Sequence, residues 1–222
     1  MSEAVWNAVD SYLEHLFIGD DAVLRETMRA SVAAGLPSIQ VSPTQGKLLH
    51  QMVRMCGARR VLEIGTLGGY SAIWMARGLP ADGKLISLEV DPRNAAVARA
   101  NIEHAGLAAK VEIHLGAALD LLPTIATQGG GLFDLTFIDA DKANSPAYFE
   151  WALRLSRVGS VIIVDNVVRE GNVLHSASDD PAVLGTRRVL EVMSSESRVT
   201  ATAIQTVGCK GYDGFAIALV TG

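Results

Sequence analysis

The stretch Phe133–Lys142, which reads FDLTFIDADK, decides the fold. It starts as a short apolar run and ends abruptly in two acids and a lysine, a pattern that indicates a buried strand delivering charge to the edge of a sheet. A second apolar run, Val161–Val164, is followed in the same way by Asp165 and Asn166. Two such strand ends could place their oxygen atoms side by side, and oxygen ligands suit a hard cation such as magnesium.

Short apolar runs alternate with helical patterns on both sides of this stretch. Besides residues 133–138, we predict strands at 60–64, 84–89, 110–115, 160–164, 198–207 and 215–220. Repeated strand–helix units favour a parallel sheet with helices on both faces. The last two strands are joined by the glycine-rich segment 208–214, which is too short for a helical crossover and makes that pair antiparallel. We therefore expect a Rossmann-like α/β three-layer sandwich with a seven-stranded, mostly parallel sheet whose last strand is antiparallel.

The N-terminal part of the chain precedes the sheet. Apolar residues at helical spacing predict helices at 3–18 and 20–34, and the sequence SPTQ at 42–45 is the capping box of a third helix. We expect the whole chain, 1–222, to form one domain, with an N-terminal helical cap at 1–57 and a cofactor-binding sheet core at 58–222.

Charge and composition exclude several classes of protein. The 222 residues carry a net charge of −5, which argues against a nucleic-acid binder because such proteins present a basic face. No apolar run approaches the ~20 residues of a membrane span. The N-terminus lacks the basic and then apolar order of a secretory signal, so we expect a cytoplasmic protein that acts on a small molecule. Cys56 and Cys209 are expected to be free thiols.

A glycine turn, Gly65–Gly69, lies between the first predicted strand and the next helix. Glycines there let a backbone approach a ligand closely. The turn is not the dinucleotide motif G-x-G-x-x-G, because Glu63 occupies the position of its first glycine. An acid there would repel a pyrophosphate and sits better beside a cationic ligand.

The next two strand ends describe a nucleoside site. Glu89 ends the second strand, where an acid can accept hydrogen bonds from both ribose hydroxyls. Small residues at 116–118 leave room for a flat base. A nucleoside site with an acid nearby and no phosphate cradle is what S-adenosylmethionine needs.

The residues LEIGT at 62–66 with GYS at 69–71, IDADK at 138–142 and DN at 165–166 resemble the cation-dependent O-methyltransferases of the caffeoyl-coenzyme A and catechol type. The similarity extends from about Ser42 to the final strand. It implies binding of S-adenosylmethionine, a divalent cation (most simply Mg²⁺, with Mn²⁺ or Ca²⁺ as alternatives), an aromatic substrate and a homodimer. It assigns Asp139, Asp165 and Asn166 to the metal and Lys142 to the role of catalytic base. The cofactor-contact positions that it implies are Val41, Glu63, Gly65, Thr66, Ser71, Glu89, Ala118, Asp139 and Asp141.

The implied chemistry is O-methylation of a vicinal diphenol. Two carboxylates and one amide oxygen leave vacant positions on a cation for two adjacent substrate oxygens. A cation stabilises the oxyanion that forms when a chelated phenol loses its proton. Burial and the cation favour the neutral amine that Lys142 needs as a base, whereas the neighbouring acids favour its charged form, and the sequence leaves that balance open.

Residues outside this set concern the substrate and remain hypotheses. Segment 167–179 has no clear periodicity and is a candidate lid. Within it, Arg169 hints at a carboxylate or phosphate on the substrate and His175 could touch the substrate. Tyr212, in the last loop, could line the pocket.

Two other functions are compatible with the predicted sheet. An NAD(P)-dependent oxidoreductase is disfavoured by the missing dinucleotide motif. A non-catalytic nucleoside-binding module is disfavoured by the acid, amide and lysine set at the two strand ends.

Overall fold

The computed structural model describes residues 2–127 and 130–222. Its centre is a seven-stranded sheet in the order β3-β2-β1-β4-β5-β7-β6. All neighbouring pairs among the first five strands are parallel, whereas β7 is antiparallel to both of its neighbours, β5 and β6. The strands are β1 (Arg60–Ile64), β2 (Lys84–Glu89), β3 (Val111–Leu115), β4 (Phe133–Ile138), β5 (Ser156–Asp165), β6 (Val199–Gly208) and β7 (Gly211–Val220). The expected mixed sheet is confirmed.

Helices cover both faces of the sheet and are α1 (Glu3–Phe17), α2 (Ala22–Ala33), α3 (Pro43–Met55), α4 (Tyr70–Gly78), α5 (Pro92–His104), α6 (Ala118–Thr127), α7 (Ser145–Arg154) and α8 (Pro181–Ser195). Alternate residues of β1 enter two different apolar clusters. Leu62 packs with residues of α6, α7 and α8, whereas Val61 packs with residues of α2, α3, α4 and α5. The three predicted layers are therefore present. None of the helices in the described ranges is long and apolar enough to cross a membrane.

The prediction of a loop at 208–214 is wrong. The pairing of β6 with β7 continues to Gly208 opposite Gly211, so only Cys209 and Lys210 form the turn. Glycine at 214 indicated a loop, but this residue lies in the strand, where an added Cβ would clash with the backbone of β6. Its glycine therefore serves close strand packing rather than a turn.

The ends of two other elements also differ from the prediction. Strand β5 begins at Ser156 rather than 160, and α7 ends at Arg154 rather than 156. Pairing with β4 explains the longer strand, because Phe133 lies opposite Ser156 beyond an irregularity in the register.

Asp134, near the start of the central strand β4, links β1, β4 and β5 at the end of the sheet opposite the glycine turn. The Oδ2 atom of Asp134 accepts hydrogen bonds from the backbone N–H groups of Arg59 at 2.7 Å and Arg60 at 2.9 Å. Its Oδ1 atom accepts from Nε and Nη2 of Arg157 at 3.0 and 2.7 Å. Burial by itself raises the pKa of Asp134, but these four hydrogen bonds outweigh it and hold the pKa below its ordinary value.

We predict that Asp134→Asn lowers the free energy of unfolding by about 2–3 kcal/mol, because hydrogen bonds to a charged group are lost. Urea denaturation measures the difference. A lowered folded-state pKa stabilises the protein fully above the ordinary aspartate value of about 3.9. That contribution disappears as the pH falls through the folded-state pKa, so the gap between the two proteins should be constant from pH 8 to 5 and narrow below about pH 4. A gap that widens on acidification would contradict the assignment.

Candidate active site

The carboxyl ends of β1, β4 and β5 lie side by side and carry most of the predicted site. In the parallel register Ile64 is opposite Ile138, and Ile138 is opposite Val164. The residues that follow, Asp139 and Asp165, are consequently level with each other on neighbouring strands. The negative charge of Asp139 contributes to the raised pKa of Asp165, as expected for two carboxylates in close proximity.

Gly65 is required by the way β1 and β4 meet. Its φ is +98°, and an added Cβ would clash with the carbonyl oxygen of Asp139 and lie 2.7 Å from the carbonyl carbon. The Gly65 N–H donates to Leu88 O at 2.9 Å, and the Asp139 N–H donates to Ile64 O at 2.8 Å. The glycine thus lets the strand that bears Asp139 approach the turn.

Glu63, predicted to lie beside a cationic ligand, is fully buried at the end of β1. Its two carboxylate oxygens accept hydrogen bonds from the hydroxyls of Ser71 at 2.6 Å and Ser87 at 2.5 Å. Burial is the main cause that raises the pKa of Glu63 to about 8, and the charges of Asp139 and Glu89 add to it. Burial therefore favours the protonated form of this side chain, and the hydroxyls of Ser71 and Ser87 fix its position near the end of β1.

Glu89, predicted to hold ribose hydroxyls, is bonded to the same turn. Its Oε2 atom accepts from the N–H groups of Thr66 at 3.2 Å and Leu67 at 2.8 Å, and its Oε1 atom accepts from the Asp91 N–H at 2.9 Å. Leu67 has a positive φ of 48°, so this carboxylate holds a strained turn in place. A carboxylate offers about four acceptor sites, and these three bonds leave capacity for a ligand hydroxyl.

Two other predicted cofactor positions, Val41 and Ala118, belong to different apolar clusters. Val41 and Ala118 are buried, with Val41 in the cluster that includes Tyr70 and Ala118 at the start of α6. Asn101 was not predicted, yet its buried amide donates to Gly68 O at 2.9 Å. The same amide reaches Thr27 O in α2 at 3.4 Å, so it joins the N-terminal helices to the turn. An asparagine inside a helix carries no sequence signal for such a role.

Lys142, the predicted base, is paired with the predicted metal ligand. Its Nζ donates to Oδ1 of Asp139 at 2.8 Å, and the lysine side chain is only 10% exposed. The backbone of Lys142 is packed against α8 at Gly185, where an added Cβ would clash with the Lys142 carbonyl group. The lysine is therefore held on a 3₁₀ turn, Lys142–Asn144, that α8 supports.

Asp141, predicted to face the cofactor, is engaged within that turn. Its carboxylate accepts hydrogen bonds from Tyr148 Oη at 2.5 Å and from the side chain of Asn144 at 2.7 Å. It also accepts from the Asn144 N–H at 3.3 Å and so caps the turn. These contacts give Asp141 a role in shaping the segment that carries Lys142.

The second half of the predicted metal site lies at the end of β5. Asp165 is buried, and its Oδ1 accepts from the Asn166 N–H at 3.0 Å. Asn166 has a φ of +57°, a conformation that asparagine tolerates better than most residues. Burial is the largest cause of the raised pKa of Asp165, whereas the amide of Gln45 lies close enough to lower it.

The predicted capping box is half correct. The Gln45 N–H donates to Ser42 Oγ at 3.2 Å, as expected for the first turn of α3. The Gln45 side chain instead lines the same cavity as Asp165, close enough to lower the pKa of that acid. The sequence could not show that this acid lies near α3.

A cavity of about 270 Å³ adjoins Asp165 and Asn166. Gln45, Lys210 and Asp213 line it and were not predicted as site residues. Lys210 donates from Nζ to Ser38 O at 2.7 Å, and burial lowers its pKa. The three residues hypothesised to meet substrate do not line this cavity: Arg169, His175 and Tyr212. The hydroxyl of Tyr212 bonds instead to the Gln205 side chain.

Within the parts of the chain that the structure describes, no group of three or more His, Cys, Asp or Glu side chains is placed to hold a metal ion. The predicted set contains only two acids, Asp139 and Asp165, with the Asn166 amide as the third donor. Asp139 already accepts a hydrogen bond from Nζ of Lys142.

Comparison with known proteins gives a consistent result. A family model described as O-methyltransferase matches residues 14–218. The chain is 53% identical over 212 residues to the catechol O-methyltransferase of Mycobacterium tuberculosis, covering 96% of this chain and 94% of that protein. It is 48% identical over 220 residues to the catechol O-methyltransferase of Niastella koreensis, covering 99% and 100%. The solved structure of the Bacillus cereus O-methyltransferase in complex with SAH has a TM-score of 0.98 at 54% identity, covering 99% and 100% of the two chains.

We predict that Gly65→Ala destabilises the protein much more than Gly106→Ala. Both glycines have positive φ, +98° and +70°, so both variants incur the backbone cost of about 1–3 kcal/mol. A Cβ at Gly106 meets nothing within 4 Å, whereas at Gly65 it clashes with Asp139. Thermal unfolding of the two variants measures the difference, and equal losses would show that the approach of β4 is unimportant.

Proposed function

The chain belongs to the O-methyltransferase family, and we propose that it transfers the methyl group of S-adenosylmethionine to one hydroxyl of a small vicinal diphenol chelated by a divalent cation. The observation that carries this proposal is the pair of carboxylates, Asp139 and Asp165, level with each other beside the glycine turn. Two relatives that match nearly the whole chain are named catechol O-methyltransferase. These findings favour methyl transfer over the oxidoreductase and the non-catalytic module.

The chemistry of the glycine turn fits S-adenosylmethionine. Helix α4 begins at Tyr70, and its N-cap residue, Gly69, provides no side-chain hydrogen bond to the first N–H groups. Such a helix start attracts a carboxylate like that of the methionine moiety. The negative charges of Asp139 and Glu89 act on the buried Glu63 at this turn, and such a negative environment suits a sulfonium cation. When bound, the cofactor supplies an activated methyl group, and the residues of the turn orient it.

The donors at the ends of β4 and β5 fit a hard cation. Asp139 and Asp165 would hold it with the Asn166 amide oxygen. Burial and the negative charge of Asp139 raise the pKa of Asp165. A bound cation would offset the mutual repulsion of these two carboxylates. When bound, a divalent cation supplies charge stabilisation for the oxyanion of a chelated diphenol.

Lys142 is placed to take the phenolic proton. Its Nζ lies 2.8 Å from Oδ1 of Asp139, one of the carboxylates that would hold the cation. Because the Lys142 side chain is largely buried, little water can reach its amine. A general base contributes when it lies within hydrogen-bond reach of the proton that it accepts. Asp141 and Gly185 hold the backbone from which Lys142 projects.

We also propose a homodimer that forms through α1. This helix has no buried residue, and one side of it exposes apolar side chains whose exposed fractions run from 45% to 64%: Val5, Val9, Tyr12, Leu16 and Phe17. An exposed apolar stripe of this kind is typical of a protein interface. Sedimentation velocity should show a dimer that the double change Tyr12→Lys and Leu16→Lys converts to monomer. The change Met55→Lys, at an apolar residue exposed elsewhere, should leave the dimer intact.

We predict that methylation of a panel of catechols requires a divalent cation. A chelator should abolish turnover, and Mg²⁺ or Mn²⁺ should restore it. Asp165→Asn keeps the side-chain volume but removes one negative charge, so its kcat/KM should fall on the order of 10²-fold or more at a fixed Mg²⁺ concentration. Higher Mg²⁺ should recover part of the loss. Full activity in the chelator would contradict the metal mechanism.

We predict that Lys142→Met lowers kcat by about 10²–10⁴-fold, because the transferred proton loses its acceptor. Binding of S-adenosylmethionine, measured by calorimetry, should change little. Lys110→Met is the matched control, because Lys110 is a partly buried lysine whose Nζ donates at 2.8 Å to the backbone carbonyl of Leu79. It lies just before β3 begins, away from the carboxyl ends of the strands. An unchanged kcat for Lys142→Met would remove the assignment of the base.

A further inference from the structure

The chain that leaves Asp165 adopts a strained path. Asn166, Arg169 and Glu170 have positive φ angles of 57°, 54° and 55°. Residues with side chains rarely adopt this conformation, and it persists when the surrounding structure holds it in place. The strain begins at the proposed ligand Asn166 and continues into the segment Arg169–Leu174.

The start of β7 supplies the hold. One oxygen of Asp213, Oδ1, accepts hydrogen bonds from three backbone N–H groups: Val168 at 2.9 Å, Arg169 at 3.0 Å and Gly214 at 3.0 Å. The carbonyl of Gly214 accepts from the Val167 N–H at 3.0 Å. The residues that follow Asn166 are thus bonded, one after another, to Asp213 and its neighbour.

Sheet pairing extends this contact to the other proposed ligand. Asp165 lies opposite Phe215 in the antiparallel pair of β5 and β7. An added Cβ at Gly214 would lie 2.8 Å from Cγ2 of Val168, so glycine permits the close packing of the two segments. The whole stretch Asp165–Arg169 is therefore aligned by residues 213–215.

We propose that Asp213 is a positioning residue that holds the backbone of Asn166 in the geometry needed for a divalent cation. This inference rests on the proposed function, since it takes Asn166 as a metal ligand. Asp213 acts on this segment through the backbone N–H groups of Val168 and Arg169. Groups that orient metal ligands from behind commonly change metal affinity by about 10–100-fold when they are removed.

The test compares Mn²⁺ binding to the full-length protein by titration calorimetry. Asp213→Ala removes the shared acceptor and should weaken Mn²⁺ binding by about tenfold or more. Asp213→Asn retains an oxygen in that position and should recover most of the affinity. The matched control is Asp134→Ala, which removes a carboxylate that also accepts two backbone N–H groups but lies at the opposite end of the sheet. It should lower stability and leave Mn²⁺ binding unchanged.

Hydrogen exchange tests the same contact without a metal. The amide protons of Val168 and Arg169 should exchange faster in Asp213→Ala than in the unsubstituted protein, while those of β1 should not. If Asp213→Ala does not fold, Asp213→Ser, which retains a shorter acceptor, carries the same expectations.

Three results would overturn the inference. The first is unaltered Mn²⁺ binding in folded Asp213→Ala, and the second is an equal loss of binding in Asp134→Ala. Either would leave the proposed function intact. The third is absence of Mn²⁺ binding by the unsubstituted protein, which would overturn the metal mechanism together with the inference.

Discussion

The close approach of β1 and β4 at their carboxyl ends is the constraint on which the site depends. Gly65 has no side chain, so the carbonyl of Asp139 can lie where a Cβ would otherwise be. This contact makes the glycine turn and the acid-bearing strand end parts of one surface. Because parallel strands end at the same edge, Asp165 on the next strand falls level with Asp139. A cofactor site and a cation site can share one boundary for this reason.

The second physical feature is an excess of carboxylates at that edge. Burial favours the neutral form of Glu63, while Glu89 accepts hydrogen bonds from backbone N–H groups. Asp139 is paired with Lys142, and Asp165 is buried with a raised pKa. The four acids thus have different environments, which affect their charge differently. The remaining negative charge at this edge of the sheet favours cationic ligands over the phosphates of a dinucleotide.

Residues from several other elements support the side chains that would meet ligands. Gln45 faces Asp165 from α3, and Asp213 holds the chain after Asn166 from β7. Gly185 lets α8 support the backbone of Lys142. Each comes from a different element, far from its partner in the chain. Contacts from distant elements can hold the backbone in a strained conformation that neighbouring residues in the sequence would not maintain alone.

The sequence by itself determined the three layers, the mostly parallel sheet with its antiparallel last strand, and the strand ends that bear acids, because burial and strand–helix alternation leave a direct periodic signal. It also predicts a site at Asp139, Lys142, Asp165 and Asn166, because polar residues that directly follow apolar runs can be recognised in the sequence. The tertiary structure decided what those side chains contact. The glycines at 208–214 predict a loop, but in the structure they belong to β6 and β7, which pair up to Gly208 opposite Gly211. The partners of Glu63, Asp141 and Gln45 likewise depend on distances between elements, and a linear sequence carries no record of which distant groups converge on one oxygen atom.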